Sequence, residues 1–200
     1  VDDKPERDFD AGRQPFRERL GLDYPVDAFP SIFWKSPFWP FLQIAPDHAL
    51  AALLQLVAFC TERWAEGSRH YGLELPMDGA VSSFTGGPDV FAWSQGSSAQ
   101  TGHLHCALDS LERWLVTQIN EGIDVSARVR QLLAESRSAA IVGVLVNVGK
   151  HQPLLFSGPL SPLLSRPELY AWDSHRVEYV EHNFAGGFVS AGEQLFELAK

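Results

Sequence analysis

Three short stretches of this chain gather residue types that could do chemistry. The first runs from Gly143 to Lys150. A phosphate-cradling P-loop needs Gly, four residues, Gly, Lys and then Ser or Thr, so that amides wrap the phosphates and the hydroxyl reaches magnesium. Here five residues separate Gly143 from Gly149, His151 follows Lys150, and the bulky Val144, Leu145, Val146 and Val148 lie between. The stretch reads instead as a helix ending at Gly149, with Lys150 and His151 well placed at its negative C-terminus. The second is His103-x-His105-Cys106. Zinc takes His and Cys ligands, but residues two apart on a helix face different ways, and a helical zinc pair is spaced by four. His103 and His105 are therefore the metal candidates, set against a helix-terminal role. The other histidines (His48, His70, His151, His175 and His182) form no second ligand cluster in the sequence.

The third stretch is Trp172-Asp173-Ser174-His175-Arg176. Ser, His and Asp together suggest a hydrolase, yet a triad converges from separate segments, and the chain holds no G-x-S-x-G elbow. The expectation is a helix exit, with Asp173 capping the next segment. No carboxylate pair stands in an apolar setting that would raise a pKa. No catalytic residue and no cofactor site is assigned.

The elements that must position these residues are mostly helices. Pro46 to Glu66 carries Leu50, Leu53, Leu54, Val57, Cys60 and Trp64 at the spacing of one helical face. Ser98 to Asn120 carries a stripe of Leu104, Leu108, Leu111, Leu115 and Ile119, and Gly122 ends it. Val125 to Glu135 comes next, capped by Asp124 or Ser126, with Val129, Leu132 and Leu133 inward. The β-branched content of Ala139 to Val148 suggests a buried strand. Its length, the Ser138 cap and the preceding amphipathic helix favour a helix buried all round. Short helical turns are expected around Leu154 to Phe156 and Leu160 to Leu164, then over Glu168 to Trp172, with a last apolar stretch at Leu195 to Ala199.

Between the first two helices, residues of about 72–96 change character. Val81 to Phe84 and Val90 to Trp93 flank Gly86-Gly87-Pro88-Asp89, which predicts a β-hairpin insertion. Upstream, residues 24–41 are crowded with proline and aromatic side chains, too proline-rich for a long helix and too aromatic for disorder. One phrase recurs: Pro37-Phe38-Trp39-Pro40-Phe41-Leu42 is echoed by Pro159-Leu160-Ser161-Pro162-Leu163-Leu164. Proline suits the first turn of a helix, so each copy reads as a stiff corner between packed helices. The fold expectation is mainly α: a HEAT-like α-solenoid array with a small hairpin insertion. Residues 1–23 form a linker or short helix, and residues 24–200 a single domain.

The 200 residues are 45% hydrophobic and 20% charged, enough for a real core with few charges to spare. A net charge of −9 and the lack of any basic run argue against nucleic-acid binding. Two cysteines, Cys60 and Cys106, read as reduced buried thiols, which points to a reducing, cytoplasmic setting. The N-terminus is charged and the longest apolar run is far too short to span a bilayer. The start at Val1 suits a processed chain or a piece of something larger.

Several phrases resemble the helical region of large bacterial ATP-binding proteins of the signal-transduction NTPase type. They are Ser36 to Leu42 running into a helix that ends Val57 to Trp64; Ala107 to Leu115; and Ser136 to Leu145, continuing to Pro153 and to Leu169 to Asp173. The resemblance spans roughly residues 30–180. In such proteins the P-loop lies elsewhere and helical repeats serve sensing or assembly, so it implies an accessory module and transfers no functional residue. The expected function is non-catalytic: binding another protein or a neighbouring domain through the aromatic corner of Phe33, Trp34, Phe38 and Trp39, where exposed aromatics concentrate binding energy, set against the alternative that these four fill the core between helices. The alternatives are a metal-dependent or histidine-based hydrolase using His103, His105 or His175, and a receptor holding a small ligand between hairpin and helices.

Overall fold

The helix that organises the molecule is the one whose sequence leaves strand and helix in competition. In the computed structural model, which describes residues 33–66, 72–77, 79–95 and 102–184, Ala139–His151 is α-helical. Ser138 caps it, its hydroxyl accepting from the Ala140 amide at 3.2 Å, and Lys150 and His151 sit in its last turn. A run with no polar residue from Ala139 to Val146 has no outer face to give to water. That run is buried throughout. The expected N-terminal linker or helix at 1–23 and the stretch 195–199 lie outside the described residues.

Around this centre, in chain order, lie α1 (Phe38–Ile44), α2 (Pro46–Ala65), strands β1 (Gly72–Met77) and β2 (Ala80–Thr85), α3 (Pro88–Phe91), α4 (Gly102–Asn120), α5 (Ser126–Glu135), α6 (Ala139–His151) and α7 (Pro167–Phe184). Short 3-10 turns occupy Phe33–Lys35, Trp93–Gln95, Pro153–Ser157 and Ser161–Ser165. Helix α6 touches α3, α4 and α5, and α4 in turn packs against α1 and the turn at Phe33. The described residues are mainly helical with a small two-stranded antiparallel sheet, in line with the expected class.

Local chemistry explains the boundaries. Pro46 opens α2 with Asp47 in the first turn and Arg63 in the last, each favourable to the helix dipole. Helix α4 ends in a Schellman motif: Gly122 takes φ +77°, its amide donates to the Ile119 carbonyl, and the Ile123 amide to that of Gln118. Asp124 accepts from the Ser126 amide at 2.9 Å at the start of α5, and these hydrogen bonds from Ser126 hold its carboxyl below the usual range. Val129, Leu132 and Leu133 point inward as the spacing requires.

Two expectations need correction. The hairpin does not turn at Gly86–Asp89. Its strands pair Leu73 with Phe84 and Leu75 with Ser82, and the chain reverses between Met77 and Ala80, where Gly79 has φ +81°. Proline without an N–H opens a helix more readily than it turns a hairpin here, so Pro88 starts α3, with Asp89 in its first turn. The overlooked signal is the alternation of buried Leu73 and Leu75 with exposed Glu74. The second correction concerns residues 172–176, which are no helix exit: they lie inside the 18-residue α7. Neither Gly nor Pro occurs between Pro167 and Phe184 to stop that helix.

The hairpin leans on the helical body as a lone hairpin must. Leu73, Leu75 and Phe84 are buried. The Thr85 amide donates to the Arg137 carbonyl at 2.6 Å, extending the sheet by one parallel bridge to Ser138. From α2, Thr61 meets Ser138 at 2.7 Å between hydroxyls while also bonding the Val57 carbonyl. Hairpin, α2 and the start of α6 thus join at one residue, Ser138.

Candidate functional site

The aromatic corner is built on a tight turn. Ser36 donates its hydroxyl to the Phe33 carbonyl at 2.6 Å, closing the 3-10 turn Phe33–Lys35. Phe33 is only 4% exposed. Its ring takes Trp34 edge-on at 5.0 Å and Trp39 at 5.1 Å, geometries that set the positive edge of one ring against the negative face of another. The Arg113 guanidinium of α4 lies 5.9 Å from the Phe33 ring centroid, within cation–π range. Asp109, one turn earlier, holds Arg113 at 3.4 Å. Phe33 is therefore the anchor that fixes the corner to α4, while Trp34, Phe38 and Trp39 are half-buried.

Helix α1 continues the surface. Its sequence, Phe-Trp-Pro-Phe-Leu-Gln-Ile, carries no charge, and only Leu42 is buried. Phe41 and Ile44, three apart, are neighbours on one side of α1, whereas Phe38 and Trp39 pack against the core. Phe41 is 38% exposed and Ile44 82%. The sequence reading does not single out these two. The signal is there nonetheless: six of seven residues are apolar, more than one face of a two-turn helix can bury. At the start of α2, Asp47 pairs with Arg128 of α5 at 2.5 Å.

The two proline phrases do not share a burial pattern. In the first, Leu42 is buried and Phe41 exposed; in the second, Leu163 is buried and Leu164 exposed. The first copy forms an α-helix and the second a 3-10 turn, and the differing turn angles put corresponding side chains on different sides.

The residues with catalytic or metal-binding chemistry remain dispersed. Gly143 and Gly149 are helical glycines at crowded contacts. A Cβ on Gly143 would stand 2.1 Å from the Phe91 carbonyl oxygen, and one on Gly149 2.6 Å from the Phe156 ring. Lys150 pairs with Asp173 of α7 at 2.5 Å, and His151 meets the Asn120 side chain at 2.8 Å. Ser174 and His175 are exposed on α7. His103 and His105 fall two apart in the first turns of α4, the former exposed and the latter partly buried. Among the described residues no group of three or more His, Cys, Asp or Glu is disposed to hold a metal ion.

His105 has surroundings of its own. Burial lowers its pKa, opposed by the Asp109 charge and by a hydrogen bond to the Ser94 backbone. The Ser94 hydroxyl is buried and makes no hydrogen bond. This approach of Ser94, from the turn at Trp93–Gln95, to α4 is not legible in sequence, because no spacing rule links residues on separate elements. Cys60 and Cys106 are buried and form no disulfide. Burial pushes the Cys60 thiol up to about 11, the opposite of what a nucleophile requires.

Among the described residues no helix is long and apolar enough to cross a membrane. Comparison with protein-family models, with curated proteins and with solved structures gave no match.

Proposed function

We propose that this chain is a non-catalytic helical interaction module. It binds another protein, or a neighbouring domain of a larger NTPase-containing polypeptide, through the corner of Phe33, Trp34, Phe38 and Trp39, extended by Phe41 and Ile44. One observation carries the reading: α1 is almost wholly apolar, yet buries only Leu42. Phe41 and Ile44, apolar side chains exposed side by side, suit association better than solvation. Phe33, locked by two tryptophans and Arg113, supplies rigidity, so that little conformational freedom is lost on docking.

The sensing role and the NTPase context rest on the resemblance in sequence alone. The HEAT-like arrangement rests on the paired helices and the repeated proline phrase, and a central helix buried on every side suits a globular bundle as well as a layered array.

The test compares the wild-type chain with a Phe41→Ser/Ile44→Asp variant. Both substitutions fall on exposed positions, so the purified variant should keep wild-type stability to within about 0.5 kcal/mol per site. In its native cells the wild type should migrate as a larger assembly on size fractionation, and the variant should not. Wild type and variant running alike would remove the basis of the proposal.

A further inference from the structure

We draw no further inference here: the strongest candidate, the side-chain cluster of Ser94, His105 and Asp109 between the Trp93–Gln95 turn and the first turns of α4, carries nothing because His105 meets the Ser94 backbone and not its buried hydroxyl, and no second feature there points to a ligand.

Discussion

At the scale of single residues, Gly143 decides how closely α3 approaches α6. The Phe91 carbonyl occupies the space a Cβ would need, and backbone yields less than a flexible side chain. Gly143→Ala should destabilise by about 1–3 kcal/mol, the usual range for overpacking. Gly122→Ala, strained only by its positive φ in open space, should lose roughly 1–2 kcal/mol. Urea denaturation of both variants checks this, and a Gly143→Ala protein as stable as wild type would show that α3 is loosely held. The glycines themselves are visible in the sequence, but their crowding is not. A phosphate loop and a close helix contact both select glycine, and only the bulk of the intervening valines separates the two.

His105 gives a residue-scale prediction with a definite sign. Its pKa is lowered in the folded chain from 6.5, so the unfolded chain binds the proton more readily. Folding is therefore unaffected by this group above its ordinary pKa and loses stability as the pH falls below it. His105→Gln should flatten the decline in stability between pH 7 and pH 5 relative to wild type. An unchanged slope would mean that His105 protonates freely in the fold. Asp109 cannot be used as the probe, because it also holds Arg113.

At the scale of elements, the hairpin and α1 are held in opposite ways. The hairpin is tied by a backbone hydrogen bond from Thr85 to Arg137 and by three buried side chains. Thr85→Pro removes that donor and leaves a carbonyl unmatched, a loss of about 1–3 kcal/mol. Thermal unfolding reads the result, and an unaltered midpoint would show that the tie is dispensable. Helix α1 is held by Leu42 and the aromatic contacts at its start. Leu42→Ala should cost about 2–5 kcal/mol, whereas Ile44→Ser should stay within about 0.5 kcal/mol. Equal losses would contradict the burial assigned to α1.

Element types are largely legible, because helices α2, α4 and α5 repeat apolar residues at helical intervals and carry their own stops. The two corrected elements share a physical origin. Gly86-Gly87-Pro88-Asp89 looks like a hairpin turn, but Pro88 and Asp89 are the first residues of a helix, which proline at N1 and an acidic residue beside it favour. Trp172 to Arg176 looks like an ending because four of its five residues are polar, yet without a breaker such a run continues the helix. The proline echo misleads in a third way, since similar letters do not carry similar geometry when one copy is α and the other 3-10.

For the whole molecule, periodicity and composition carry the helical class, and the α6 segment decides its centre. The candidate site is only half visible. Aromatic density draws attention to residues 33–39, but burial alone separates Phe33, which anchors, from Phe41 and Ile44, which face outward. No rule of spacing reveals that distinction, because it depends on which side of α1 meets α4. The central claim is that this outward face is covered by a partner. The most direct measurement places a photo-crosslinking amino acid at position 44, and at exposed Ala127 of α5 as a control, in the protein as its native cells make it. Mass spectrometry should map crosslinks from position 44 to one defined peptide of another chain or domain, with few from position 127. Crosslinks that are absent, or scattered equally from both positions, would contradict it.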